Sequence, residues 1–105
     1  MNKKELLGKR IKELRKEQGY TQDFLAEKLE IETRQLSKLE TGMHFPSFET
    51  TIKLLETFQI TFEDLISFDH LRNDDELKEG LIKKITHLNS SKLKNVYKIV
   101  NAYLN

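Results

Sequence analysis

The spacing of the apolar residues constrains this chain most, because they recur every three or four positions along nearly the whole sequence. This spacing places apolar side chains on one face of an α-helix. One Pro and four Gly are too few turn-forming residues for a β-sandwich or a β-barrel. The sequence therefore predicts an all-α protein, and 37% hydrophobic with 33% charged residues is a composition that can form a compact core.

Helix start and stop signals divide residues 1–68 into five short helices. Gly19 ends the first helix, and Thr21 caps a second helix over residues 22–29. The third helix is predicted over about Thr33–Glu40. Ser47 caps the fourth helix, and Thr61 with Asp64 begins the fifth. The apolar residues expected on the inner faces are Leu7, Ile11, Leu14, Phe24, Leu25, Leu29, Leu36, Leu39, Ile52, Leu55, Phe58, Leu65 and Ile66. The predicted result is a compact domain over residues 1–68.

Residues 69–105 are predicted to form a linker and a C-terminal helical hairpin. Residues 69–73 are polar, and apolar residues then recur at helical spacing over residues 74–88 and again after Asn89-Ser90. Two amphipathic helices cannot bury both apolar stripes against each other alone, so the hairpin must pack on the first domain or on another chain. We expect the second arrangement, a dimerisation element. Its apolar residues are Leu93, Val96, Tyr97, Val100, Tyr103 and Leu104.

Several kinds of site are not expected in this sequence. There is no Cys, which excludes disulfides, thiolate zinc sites and cysteine nucleophiles. His44, His70 and His87 lack ligand spacing, and the Asp74-Asp75-Glu76 run is explained by the favourable position of acids at a helix start. No nucleophile with a neighbouring base and no Gly-rich phosphate loop is recognisable. We expect no enzyme, no metal and no cofactor.

The sequence also bears on location and on charge. No apolar run approaches the ~18 residues of a membrane span, and the start of the chain does not have the pattern of a signal peptide, so we expect a soluble cytoplasmic protein. The net charge is only +1. Residues 1–46 hold ten Lys or Arg against eight Asp or Glu, whereas residues 47–68 hold one against four. Any contact with nucleic acid must therefore use locally focused positive charge.

One segment resembles a known family of DNA-binding domains. The residues that carry the resemblance are Tyr20-Thr21-Gln22, Leu25-Ala26, Leu29, Ile31, Leu36-Ser37, Leu39-Glu40 and Gly42. They resemble the Cro/lambda-repressor class of helix-turn-helix regulators, also called the xenobiotic-response-element type. The likeness extends over about residues 6–67. It implies a five-helix lambda-repressor-like domain in which the second and third helices form the DNA-binding unit.

The resemblance also implies roles for individual residues. The base-reading residues would be Thr33, Arg34 and Lys38 on the third helix. Residues touching phosphate or flanking the groove would be Gln22, Gln35, Ser37, Met43 and His44. Arg15 and Glu40 match a family pair that forms a buried ion pair between the first and third helices. Arg34 is the sharpest of these predictions, because a guanidinium can donate to O6 and N7 of guanine at once.

Two residues depart from the family pattern. Glu30 stands where the family usually has Gly, and Glu32 stands where it usually has a capping Ser or Thr. A non-Gly residue in the left-handed conformation costs roughly 1 kcal/mol, which a fold tolerates. The two carboxylates matter more for DNA binding, because negative charge near a phosphate backbone opposes counterion release.

The leading functional hypothesis is a sequence-specific transcriptional regulator that binds double-stranded, operator-like palindromic DNA as a homodimer. The alternative is a protein-interaction module, either an antitoxin or an adaptor, that binds a protein partner through residues 69–105 and for which DNA binding is secondary. The low net charge with Glu30 and Glu32 favours this alternative. Membrane association is not expected.

Overall fold

The computed structural model describes residues 1–105 and contains seven α-helices and no strand. The helices are α1 (Lys3–Glu17), α2 (Gln22–Leu29), α3 (Thr33–Glu40), α4 (Phe48–Phe58), α5 (Phe62–Leu65), α6 (Asp74–Thr86) and α7 (Ser90–Leu104). A single 3₁₀ turn covers Asp69–Leu71. The prediction of an all-α fold is confirmed. The chain divides into two compact units, Met1–Arg72 and Asn73–Asn105, which are described separately below.

Side-chain caps start α2 and α4 where the sequence predicts them. The hydroxyl of Thr21 accepts a hydrogen bond from the backbone N–H of Phe24 at 3.0 Å, which begins α2. Ser47 does the same for the N–H of Thr50 at 3.1 Å and begins α4. Each cap satisfies one backbone donor that has no partner within its helix. Gly19, with φ at +71°, follows the end of α1 in the left-handed conformation.

All five helices of the first unit contribute to one hydrophobic core. The buried core residues are Ile11, Leu14, Leu25, Ala26, Leu29, Leu36, Leu54, Phe58 and Leu65. The five-helix arrangement that the apolar spacing predicts is thereby confirmed. Leu7, Tyr20, Ile31, Leu55 and Ile60 pack around it and are partly buried.

Three expected core residues, Phe24, Ile52 and Ile66, lie at the surface instead, and Ile66 at the end of α5 is 43% exposed. Ile52 is 40% exposed, because α4 buries Thr50, Leu54 and Phe58, which share a face on the other side of the helix. The hydroxyl of Thr50 is satisfied inside by the hydroxyl of Ser47 at 3.0 Å, so a polar residue occupies the inner face. Phe24 is 41% exposed and packs its ring beside that of Tyr20.

A glycine allows α1 to pack directly against the end of α3. A Cβ atom added to Gly8 would lie 2.3 Å from the carbonyl oxygen of Leu39, well inside van der Waals contact. No residue with a side chain fits between these two backbones. Gly8 therefore fixes the distance between α1 and α3, the element on which the candidate site depends.

The boundary between the units falls between Arg72 and Asn73, whereas the predicted domain boundary fell after Phe68. The difference arises because the 3₁₀ turn belongs to the first unit. His70 Nε2 lies 2.9 Å from a carboxylate oxygen of Glu13 in α1, which ties the turn to that helix.

The second unit consists of α6 and α7. Asn73 and Asn89 accept backbone hydrogen bonds at the starts of the two helices. The first helix ends at Thr86, two residues before the predicted end. Neither helix contains a buried residue, so both apolar stripes stay accessible. No helix of the chain combines the length and apolar composition of a membrane span.

Candidate nucleic-acid interface

The turn between α2 and α3 is short and strongly bent. Glu30 has a φ of +58°, in the left-handed region where the family pattern has glycine, and this conformation closes α2. The backbone N–H of Ile31 then donates to the carbonyl of Ala26 at 3.0 Å. The backbone therefore reverses direction within the three residues between α2 and α3, and the start of α3 lies beside the start of α2.

A lysine from α4 compensates the carboxylate of Glu30. Lys53 Nζ lies 2.6 Å from Glu30 Oε2 and 3.4 Å from Glu49 Oε1. The hydrogen bond and charge of Lys53 lower the pKa of Glu30, which therefore stays ionised and paired. Of the two carboxylates that depart from the family pattern, Glu30 is therefore neutralised by an ion pair with Lys53.

The third helix is buried on one face and open on the other. Leu36 is fully buried and Leu39 nearly so, and these two residues seat α3 on the core. On the opposite side Arg34 and Gln35 are exposed. Thr33, Ser37 and Lys38 are half-buried. The outer face of α3, which is about two turns long, thus presents both short and long polar side chains.

Side chains from neighbouring positions restrain the first turn of α3. The hydroxyl of Thr33 lies 2.7 Å from Asp23 Oδ1 in α2 and donates to it. The Oε1 atom of Gln35 accepts from the backbone N–H of Glu32 at 3.0 Å, which stabilises the helix start. Arg34, between them, forms neither of these bonds and points to solvent with its donors available.

A buried ion pair connects the end of α3 to α1. Arg15 Nε lies 2.7 Å from Glu40 Oε2, and Arg15 Nη2 lies 3.0 Å from Glu40 Oε1. These two hydrogen bonds make the ion pair bidentate. The side chains of Arg15 and Glu40 are 10% and 2% exposed, so water has little access to the pair. Gln22 Nε2 also donates to Glu40 Oε1 at 3.0 Å. The first residue of α2 is thereby anchored to the same carboxylate.

The loop after α3 forms one side of a cleft. Gly42, with a φ of +80°, turns the chain, and Met43 and His44 are exposed beyond it. The cleft has a volume of about 290 Å³. Its lining residues are Ile31, Gln35, Lys38, Leu39, His44, Phe45, Pro46, Ser47 and Thr50. The structure thus brings together three of the sequence-predicted residues, Gln35, Lys38 and His44.

The predicted dimerisation residues belong to the second unit, on α7. Five of them are exposed, namely Leu93, Tyr97, Val100, Tyr103 and Leu104, and Val96 is half-buried. Tyr103, the most exposed, shows 88% of its surface. Within the second unit these side chains form one apolar stripe along α7 that is not buried.

The sequence reasoning missed two residues of the site. Asp23 restrains Thr33, and Lys53 compensates Glu30. Asp23 lies ten residues before its partner and Lys53 lies 23 residues after its partner. Spacing along a helix contains no signal for either pair, because each contact crosses a turn between two helices.

Comparison with known proteins identifies related sequences. The family described as a helix-turn-helix domain matches residues 8–67. The HTH-type transcriptional regulator ImmR of Bacillus subtilis (strain 168) is 37% identical over 70 residues, which cover 67% of this chain and 55% of ImmR. An uncharacterised HTH-type transcriptional regulator of Archaeoglobus fulgidus is 37% identical over 68 residues, covering 65% of this chain and 91% of that protein.

A longer but weaker match is the HTH-type transcriptional activator BcrR of Enterococcus faecalis, 28% identical over 95 residues. That match covers 90% of this chain and 42% of BcrR. The chain thus spans about half the length of ImmR and less than half of BcrR.

Among solved structures, a chain of the SinR protein/SinI protein complex is similar with a TM-score of 0.56. The match covers 92% of this chain and 96% of that chain at 21% sequence identity, so it supports the fold alone. The family match covers more than half of the sequence and includes α2, the turn and α3. The chain belongs to the helix-turn-helix family of the xenobiotic-response-element type.

Proposed function

We propose that this chain is a sequence-specific DNA-binding transcriptional regulator that reads the major groove with α3. Family membership and the regulators among its relatives support this proposal. The observation that carries it is the division of α3, whose apolar face is fixed in the core while Arg34 and its neighbours face solvent. A rigid helix with an accessible polar face is the element that enters a major groove in this class of domain.

Arg34 is the principal base reader in this proposal. It lies in the first turn of α3, where helix-turn-helix domains contact base edges, and it is exposed. Its planar guanidinium can donate to guanine O6 and N7 together, which discriminates against another base by ~1–3 kcal/mol. Thr33 and Lys38 read the flanking positions, one residue before Arg34 and one turn after it.

Gln22 and the α3–α4 loop contact the phosphate backbone in this proposal. The carboxamide nitrogen of Gln22 carries two N–H groups, and Glu40 accepts only one of them. The second N–H can donate to a phosphate oxygen from a fixed position. Gln35, Ser37, Met43 and His44 flank this contact. Pairing of Glu30 with Lys53 reduces the repulsion that an isolated carboxylate would exert on the phosphates.

Residues 69–105 assemble the dimer in this proposal. The apolar stripe of α7 is accessible in a single copy, and an isologous contact between two such stripes would bury it. A dimer places two recognition helices on half-sites ~34 Å apart along one face of the DNA. The expected target is therefore palindromic, and the assembly acts by occluding a promoter or by recruiting at it.

Binding-site selection from randomised duplex DNA at a stated salt concentration tests the reading function. Arg34→Lys serves as the matched variant, because it keeps the positive charge and loses the planar fork. We expect it to relax the preference for guanine at one position while the salt dependence stays unchanged. Gln22→Ala should instead weaken binding to all sequences. Unchanged base preference in both Arg34→Lys and Arg34→Ala would refute the assigned recognition face.

Sedimentation equilibrium tests the assembly function. Tyr97→Asp combined with Val100→Asp introduces charges into the apolar stripe, and we expect a monomer that binds a palindrome with much lower affinity. Asn95→Asp is the control, since Asn95 lies on the same helix outside the stripe. A dimer that persists in the double variant would place the interface elsewhere.

A protein-interaction role is the second candidate function. The accessible stripe of α7 favours it, because such a face can bind another protein as well as a second copy. The similar solved chain belongs to a complex of two proteins, SinR and SinI. An absence of any DNA binding at low salt, together with a stable 1:1 complex of the full chain with a different protein that Tyr97→Asp abolishes, would favour this role.

A further inference from the structure

The hydroxyl of Thr33 is held by a side chain of the preceding helix. Thr33 Oγ1 lies 2.7 Å from Asp23 Oδ1, the usual distance for an O–H donor and a carboxylate. A carboxylate has no proton to give, so the hydroxyl must be the donor. The single hydroxyl proton of Thr33 is therefore directed towards Asp23.

The backbone on both sides keeps this contact in place. Asp23 lies in the first turn of α2, whose start is fixed by the Thr21 cap. Thr33 is the first residue of α3, and the three-residue turn with its bond from Ile31 to Ala26 sets the two helix starts side by side. The orientation of the Thr33 hydroxyl is thus a property of the folded domain.

The direction of this hydrogen bond decides what Thr33 can offer to a ligand. With its proton engaged, the hydroxyl oxygen presents only lone pairs, and the carboxylate of Asp23 presents only lone pairs beside it. In the major groove adenine N6 and cytosine N4 are donors, whereas guanine O6 and N7 and thymine O4 are acceptors. Phosphate oxygens are acceptors too.

We infer that Asp23 is a specificity-determining residue that restricts Thr33 to accepting a hydrogen bond from a base amino group, adenine N6 or cytosine N4, in the major groove. Each base pair presents one such amino group, on one of its two strands, so the contact selects the orientation of the pair. The inference rests on the proposed DNA-binding function. Asp23 acts through Thr33 as a positioning residue. It also prevents the Thr33 hydroxyl from donating to a phosphate, which assigns Thr33 to base reading and not to the backbone.

Selection from randomised duplex DNA by the full chain tests this inference, with base frequency at each motif position as the readout. Thr33→Val, which lacks the hydroxyl, identifies the position that Thr33 reads. At that base pair, an analogue that lacks the amino group (purine for adenine, 2-pyrimidinone for cytosine) should weaken binding of the unsubstituted chain by about threefold to tenfold, the effect of one hydrogen bond. Asp23→Ala frees the hydroxyl proton, which can then donate to an acceptor of the base pair, so the analogue should have little effect on this variant.

Two controls separate the hydrogen bond from other effects. Thr33→Ser keeps the hydroxyl and its bond to Asp23, so the dependence of binding on the base amino group should persist. Glu27→Ala removes another exposed acid of α2, so it should raise affinity for all sequences and leave the motif unchanged. Neither substitution affects the core, and thermal unfolding followed by circular dichroism checks that each variant folds.

The results distinguish this inference from the function on which it rests. If the unsubstituted chain enriches no motif, the proposed sequence-specific binding fails and the inference fails with it. If a motif is enriched but Thr33→Val alters none of its positions, or Asp23→Ala stays as sensitive to the analogue as the unsubstituted chain, only the inference is overturned. Full affinity of the unsubstituted chain for DNA with the analogue at that base pair would overturn it as well.

Discussion

Replacing Glu40 by leucine will leave the Arg15 guanidinium in the interior without its carboxylate. The two side chains are 10% and 2% exposed, and the guanidinium donates twice to Glu40. Its remaining hydrogen bond in the fold goes to the carbonyl of Tyr20 at 2.9 Å. The substitution therefore removes both ionic hydrogen bonds from a cation that water cannot reach freely.

Removing one partner of a buried ion pair costs about 3–5 kcal/mol of unfolding free energy. A unit the size of Met1–Arg72 has a total stability of roughly 4–11 kcal/mol at the usual value per residue. Glu40→Leu should therefore remove a large share of the stability. Urea unfolding followed by circular dichroism measures the loss, and the midpoint should fall while the slope stays constant.

The double variant Arg15→Met with Glu40→Leu separates the stranded charge from the loss of the pair itself. Two apolar side chains of similar length leave no unpaired charge, so the double variant should be more stable than Glu40→Leu alone. Lys16→Met is the control next to Arg15, because Lys16 is exposed, and it should leave the midpoint unchanged. A double variant no more stable than Glu40→Leu would refute this reasoning.

Three further predictions follow from the first unit. Gly8→Ala places a methyl group against the Leu39 carbonyl and should lower the unfolding free energy by more than about 1 kcal/mol, measured by urea unfolding, and an unchanged midpoint would contradict the packing. Gln59→Gly relieves a left-handed residue, with φ at +55°, and should raise the melting temperature by a few degrees at roughly 1 kcal/mol, measured by calorimetry. Burial raises the pKa of Glu13, but the hydrogen bonds from His70 and Arg10 outweigh burial and bring the pKa below 4.5. The ionised carboxylate thus stabilises the fold above that value, and the stabilisation is lost as the pH falls through the lowered pKa. Glu13→Gln should therefore flatten the loss of stability that urea titrations measure as the pH falls below 4.5.

Local signals predicted the helix starts well. Thr21 and Ser47 were both expected as caps, and both accept the backbone hydrogen bond that a cap provides. A cap acts within four residues, so the sequence contains the whole interaction. The bounds of α3, Thr33–Glu40, follow instead from the apolar spacing of Leu36 and Leu39 and from Gly42 beyond the end of the helix.

Interactions between helices were harder to predict. The inner face of α4 contains Thr50 in place of Ile52, because Ser47 satisfies the threonine hydroxyl inside. A prediction from apolar spacing assigns isoleucine to the core before threonine, so it places Ile52 on the inner face of α4 where the structure has Thr50. Gly8 gave no signal at all, since its role depends on the backbone of α3, more than thirty residues further along the chain.

The candidate site shows the same division. Which residues of α3 face outwards followed from the apolar spacing of Leu36 and Leu39. The partners of those residues did not, because the contact of Asp23 with Thr33 depends on how the turn folds in three dimensions. Sequence periodicity can assign a face, but it does not contain the hydrogen bonds between neighbouring helices.

The lack of any buried residue in α6 and α7 links folding of the second unit to the amount of protein. Two short helices with open apolar stripes gain little stability alone, so a further surface, of the first unit or of a second chain, would supply the rest. When that surface is a second copy, dilution favours both dissociation and unravelling of the hairpin. If the proposed dimer binds DNA, occupancy of its site would then rise faster than in proportion to the concentration of the chain.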